Sequence, residues 1–103
     1  MDFIKVGTRG YVATLSFNNY SKRNALSKAL IAECLDALAQ FRNQKVRVVV
    51  LRSATPQKVW SAGHDIDELP QSNRDPLPYD DPLEELLRAV AAFPAPVIAM
   101  VCV

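Results

Sequence analysis

The chain has 103 residues, half of them hydrophobic and 22% charged, with a formal net charge of +1. That length suits one small globular unit spanning residues 1–103, and the scattered, nearly balanced charges argue against a basic face for nucleic acid. No apolar run reaches transmembrane length.

The N-terminal MDFIKVGTRG lacks the apolar core of a secretory signal. Cys34 and Cys102 have the wrong number and spacing for a disulfide framework or a zinc site, so the default expectation is a reduced, cytoplasmic protein.

In chain order, residues 3–6 (FIKV) and 11–17 (YVATLSF) read as two strands, with Thr8-Arg9 between Gly7 and Gly10 as the hairpin turn. The second strand alternates, placing Tyr11, Ala13, Leu15 and Phe17 on one face. A polar loop, NNYSKRN, follows. Ser27 is the expected N-cap of a helix running to about Arg42. Leu26, Leu30, Cys34, Leu38 and Phe41 form its apolar stripe, in which Cys34 reads as a small buried hydrophobe.

VRVVVL (46–51) is a continuous β-branched run, the pattern of a parallel strand buried on both faces. Residues 70–82, PQSNRDPLPYDDP, hold four of the seven prolines and read as a long variable loop, either a lid that excludes water or surface decoration. Asp81-Pro82 opens a second helix with Glu84 and Glu85 in its first turn, where the helix dipole favours them. Leu83, Leu86, Leu87, Val90 and Phe93 are its expected buried side, and Pro94 and Pro96 end it. The last strand is Val97 to Val103. The order ββαβ-loop-αβ implies an α/β layered fold with a mostly parallel sheet. PVIAMVCV is the kind of strand that needs neighbours on both sides: it is either a natural terminal strand in the middle of a sheet or, as expected, the chain is part of a larger protein, and its exposed edge would favour self-association.

The chemistry-bearing stretch is WSAGHDIDELP (60–70), which contains the only histidine, His64. A metal site is disfavoured, because zinc sites use two or more His or Cys at defined spacing. A serine nucleophile is also disfavoured. There is no G-x-S-x-G elbow, and nothing in the sequence orients Ser61 towards His64. Two backbone readings stay open. Gly63 either forms an ordinary loop capping a helical turn, or lets successive N–H groups converge on an anionic oxygen. Trp60 is expected to pack against the sheet.

SKRNALS (21–27) followed by WSAGHDI (60–66), and then by FPAPVIAMV (93–101), resembles the crotonase (enoyl-CoA hydratase/isomerase) superfamily in both motifs and in element order. The resemblance covers the whole chain and implies the N-terminal part of a ββα spiral core. SAGHDIDELP with RDPLPYDDPL is similar, more narrowly, to a subgroup that decarboxylates methylmalonyl thioesters. What the resemblance implies is an acyl-CoA thioester substrate, with coenzyme A as part of that substrate and no separate cofactor, and a trimer or hexamer. The backbone N–H of His64 would be one donor of an oxyanion hole. The second would come from a glycine just after the final strand. The His64 ring would orient the loop or line the pocket. Ala25 and Ala62, with Gly63, match positions whose backbone meets the adenine or pantetheine, and Asp65 and Ile66 match the loop around the adenine. Lys22 and Arg23 match a basic patch for the CoA phosphates, with a solvated surface pair as the equal alternative. Hydratase or isomerase activity is the close competitor, and an inert self-associating chain is the non-enzymatic one.

Overall fold

A computed structural model describes residues 2–55, 59–63 and 81–101. The strands are β1 (Ile4–Arg9), β2 (Val12–Phe17), β3 (Val48–Ser53) and β4 (Val97–Ala99). The helices are α1 (Lys28–Asn43) and α2 (Pro82–Ala92), and a single 3-10 turn covers Tyr20–Lys22. The four strands lie in the order β1-β2-β3-β4. β1 and β2 are antiparallel, while β2–β3 and β3–β4 are parallel. The sheet is therefore mixed, with its antiparallel pair at one edge.

The hairpin is one place where the expectation fails. Arg9 pairs with Val12, so the turn is Gly10-Tyr11 rather than Thr8-Arg9, and Gly7 pairs with Thr14 inside the ladder. Gly10 has φ +61 and Tyr11 does not share the positive φ. A glycine at the first loop position with positive φ matches the twist of the flanking strands, which moves the turn to the second glycine. Tyr11 is thereby taken off the buried face. It is 60% exposed, with the Arg47 guanidinium 4.3 Å from its ring centroid.

α1 begins where its cap predicts. The Ser27 hydroxyl accepts from Leu30 N–H at 3.2 Å, satisfying one of the amides that a helix start leaves unpaired. Leu30, Cys34, Leu38 and Phe41 of the expected stripe are buried, joined by Ile31 and Ala37, and Leu26 is half-buried at the entry. Glu33, on the same helix, receives the Phe3 N–H at 3.0 and 3.3 Å, tying the start of β1 to α1. In α2 the Asp81 carboxylate accepts from Leu83 N–H at 2.9 Å, with Pro82 in the first turn. Phe93 is extended (φ −62, ψ 135), as a residue before proline must tend to be, and the helix stops there. Leu86 is buried, and Leu83, Val90 and Phe93 pack against the core. Leu87 is 53% exposed, contrary to expectation. At 100° per residue it falls on the flank of the arc that Leu86, Val90 and Phe93 define.

Both helices supply the layer over one sheet face, where Ile4, Ala13, Leu15, Phe17 and Val49 are buried. β3 has parallel neighbours on both sides, as its β-branched run implies. Only Val49 is fully buried, however, and Val48, Val50 and Leu51 are half-buried. The ladder aligns Val12 with Val48 and Thr14 with Val50, and Val50 in turn with Ile98, on the face turned away from the helices. Among the described residues no second layer covers that face. Burial on both faces is thus met in hydrogen bonding and only half met in packing. No helix among the described residues is long and apolar enough to cross a membrane.

Candidate functional site

Two segments far apart in sequence meet at the end of the sheet where β2 and β3 finish. The first follows β2. Asn19 opens the 3-10 turn, and Arg23 and Asn24 then both adopt left-handed backbone, φ 52 and 54. Asparagine is among the few non-glycine residues that enter this region readily. The turn closes through Arg23 N–H to Tyr20 O and Asn24 N–H to Asn19 O, each 2.8 Å, and through Ala25 N–H to Lys22 O at 3.0 Å. The Asn24 side-chain oxygen returns the favour by accepting Asn19 N–H at 2.9 Å.

The second segment is Trp60–Gly63, which lies along the first like a strap. Ala62 N–H donates to Arg23 O at 2.9 Å, and Leu26 N–H donates to Gly63 O at 2.6 Å. The Ser61 hydroxyl donates to Asn24 O at 2.8 Å and accepts from Gly63 N–H at 3.1 Å. The Asn24 amide nitrogen donates both to Trp60 O and to Ser53 Oγ, 3.0 Å each. Trp60 anchors the strap from below, with its ring edge-on to Phe17 at 5.0 Å between centroids. This is the sheet packing expected of it. Ser61, whose hydroxyl serves two backbone groups, is a structural link between the two segments.

Gly63 has φ +83, while a Cβ built on it would meet nothing within 4 Å. The position requires glycine for its backbone conformation, not for space. Of the expected site residues, the structure joins Arg23 to Ala62 and places Ala25, buried, between Asn24 and Leu26. Lys22 and Arg23 have exposed side chains; Arg23 enters the network through its carbonyl. Lys22 lines a shallow hollow of about 350 Å³ with Asn19, Ser21 and Ser27, at the N-terminal end of α1. His64, Asp65 and Ile66 lie outside the described residues, as does most of the 70–82 loop. The residue that sequence reasoning passed over is Asn24, fully buried at the centre of the network. Its signal was available: an asparagine ahead of an apolar pair, in a turn with no glycine to supply left-handed backbone. Cys34 belongs to the core. Burial, with Glu33 adding to it, pushes its thiol from 9.0 up to about 12.

Residues 7–102 match the family model described as enoyl-CoA hydratase/isomerase. The chain belongs to the enoyl-CoA hydratase/isomerase family. Within that family it is 46% identical over 99 residues to methylmalonyl-CoA decarboxylase of Escherichia coli (strain K12), covering 96% of this chain and 38% of that protein. It is 38% identical over 90 residues to the mitochondrial enoyl-CoA hydratase domain-containing protein 2 of Bos taurus, covering 85% of this chain and 30% of that one. Two solved structures of methylmalonyl-CoA decarboxylase superpose closely. The complex with 2-nitronate-propionyl-CoA gives a TM-score of 0.87 at 45% identity, over 95% of this chain and 38% of that one. The complex with 2S-carboxypropyl CoA gives 0.89 at 44% identity, over 98% and 39%. The crotonase-type α/β fold is thereby established, and the chain spans about two fifths of the length of these relatives.

Proposed function

We propose that the protein carrying this chain binds acyl-CoA thioesters and decarboxylates methylmalonyl-CoA to propionyl-CoA and carbon dioxide. The observation that carries the reading is the strap. The Gly63 carbonyl is held by Leu26 N–H at 2.6 Å. That bond restrains the end of the strap, from which the sequence continues to His64. The proposal gives the His64 amide the role of an oxyanion donor, which needs a dipole oriented before the charge develops. The 46% identity to the E. coli decarboxylase supports the choice of reaction.

In that reaction the bond between the α-carbon and the carboxylate carbon breaks and carbon dioxide departs. The electron pair stays on the α-carbon and is delocalised to the thioester oxygen as an enolate. A proton then adds to the α-carbon to give propionyl-CoA. Each well-placed donor to the enolate oxygen contributes on the order of 10²–10³ in rate. The His64 amide is the first donor in this proposal, and a glycine amide following the last strand is the second. The backbone of Ala25, Ala62 and Gly63, with Asp65 and Ile66, would meet the adenine and pantetheine. Lys22 and Arg23 would meet the phosphates, with Lys22 lining the hollow at the start of α1, where the dipole also favours an anion. Residues 70–82 would exclude water. The same reading carries a cytoplasmic location and assembly into trimers or paired trimers.

The likeness to enoyl-CoA hydratase domain-containing proteins favours a second reading, hydration or isomerisation of an enoyl-CoA through the same enolate. Mixing the natural-length protein with methylmalonyl-CoA and, separately, with crotonyl-CoA decides between them. Release of carbon dioxide and propionyl-CoA is the expected outcome. Hydration of crotonyl-CoA with no carbon dioxide released would overturn it.

A further inference from the structure

We propose that Asn24 is a positioning residue. Its carboxamide, together with Ser61, holds the Trp60–Gly63 strap in fixed register on the sheet, and the oxyanion donor assigned above to the residue after Gly63 depends on that register. The inference rests on the oxyanion reading above and deepens it.

Every hydrogen-bonding group of the Asn24 side chain is engaged, each with a different part of the molecule. Its oxygen accepts Asn19 N–H within its own turn. Its nitrogen donates to Ser53 Oγ at the end of β3 and to Trp60 O on the strap, both at 3.0 Å. Its backbone carbonyl receives the Ser61 hydroxyl at 2.8 Å. That hydroxyl in turn receives Gly63 N–H. Asn24 thus grips the strap at two successive residues, and the second grip reaches Gly63 through the Ser61 hydroxyl. The other end of the linkage is rigid. Ser53 pairs with Phe17 in the ladder, and Ala54 N–H donates to Phe17 O at 2.8 Å. The sheet is the frame of reference, and Asn24 transmits it to the strap.

The chemistry selects asparagine. The residue must enter left-handed backbone (φ 54) and must donate to two oxygens at once. Aspartate would tolerate the backbone and keep the bond from Asn19, but would set a carboxylate oxygen against the Trp60 carbonyl. Its other close neighbour, Ser53 Oγ, directs its own hydrogen to Thr55 O at 2.9 Å. Asn24→Asp therefore spares the turn and severs the two side-chain links, to Trp60 O on the strap and to Ser53 Oγ on the sheet. A residue that only shaped its own turn would pass this substitution with kcat unchanged.

The test uses the natural-length protein. With methylmalonyl-CoA, Asn24→Asp is expected to lower kcat by about a hundredfold, the effect of roughly 1 Å of misplacement at a reacting centre. KM should change by less than about threefold, because the strap's own bonds from Ala62 N–H to Arg23 O and from Leu26 N–H to Gly63 O remain. In parallel, the ¹³C resonance of the thioester carbonyl of bound, carbonyl-labelled propionyl-CoA should move back towards its position in free solution. Unchanged kcat and an unchanged resonance with a lower melting temperature would overturn the proposal, leaving Asn24 as a fold residue. A raised KM with unchanged kcat would also overturn it. Should Asn24→Asp fail to fold, Ser61→Ala removes the second grip alone. A fall in kcat of about tenfold is then expected at constant KM, from loss of one positioning hydrogen bond, and a rate within about twofold of wild type sinks the idea. A wild-type protein that releases no carbon dioxide would end the decarboxylase reading alone. The carbonyl resonance needs no turnover and still decides the role of Asn24.

Discussion

At the scale of single residues, the same physical cause makes Cys34 inert and Asn24 informative. Both are buried, where an ionisable group is kept neutral and an amide is kept hydrogen-bonded. Cys34 takes the first course, with its thiol pushed up to about 12 by desolvation and by Glu33. A group whose pKa is raised on folding holds its proton in the folded state after the unfolded chain has lost it. Its contribution to stability is therefore complete below pH 9.0, declines between 9.0 and about 12, and is gone above that. The slope in that window is at most about 1.4 kcal/mol per pH unit. Urea unfolding at successive pH values should show this loss in the wild type and not in Cys34→Ala. Asn24 takes the second course, with a hydrogen bond for each group. The thiol's fate was legible from a helical stripe. The asparagine's left-handed turn was signalled locally, but its partners were not, because Ser53 and Trp60 come from segments 29 and 36 residues away.

At the scale of elements, local chemistry was a reliable guide wherever an element's ends are set by its own residues. Ser27 caps α1 and Asp81 caps α2, each by a side-chain bond to an amide within the first turn. Removing the first, by Ser27→Ala, is expected to cost about 1 kcal/mol, read as a lower urea midpoint at an unchanged slope. A larger loss would show that the hydroxyl also supports the buried turn at Ala25–Leu26. The hairpin was misread where two glycines competed for one turn. Register decided, by pairing Arg9 with Val12. Leu87 was misplaced for a related reason. Leucine spacing marks a stripe about 100° wide, but the neighbouring helix and sheet choose which edge of it is covered.

For the molecule as a whole, the consequence is a core on one side of the sheet. Val49 is fully buried under the helices, whereas Val50 looks the other way and is half-buried. Alanine at Val49 is expected to cost about 2–3 kcal/mol and alanine at Val50 about 1 kcal/mol or less, by the difference in area removed from water and cavity left behind. Chemical unfolding of the chain as it stands measures both. Equal losses would mean that Val50 has a covering layer in solution. In the sequence the two valines are indistinguishable neighbours, and the α/β class follows from the run they share.

What the sequence determined by itself is whatever depends on near neighbours: helix caps, strand-forming runs, the proline stops, the glycine at position 63, and the paired motifs that mark the enoyl-CoA hydratase/isomerase family. These are properties of a few consecutive residues, or of motifs whose meaning survives without coordinates. What only the tertiary structure decided is which residues close the distance between those motifs. The strap of Trp60–Gly63 lies on the Arg23–Leu26 turn because β2 and β3 are parallel neighbours that end at the same edge, Phe17 beside Ser53. That pairing brings the two loops together and leaves one buried asparagine to join them.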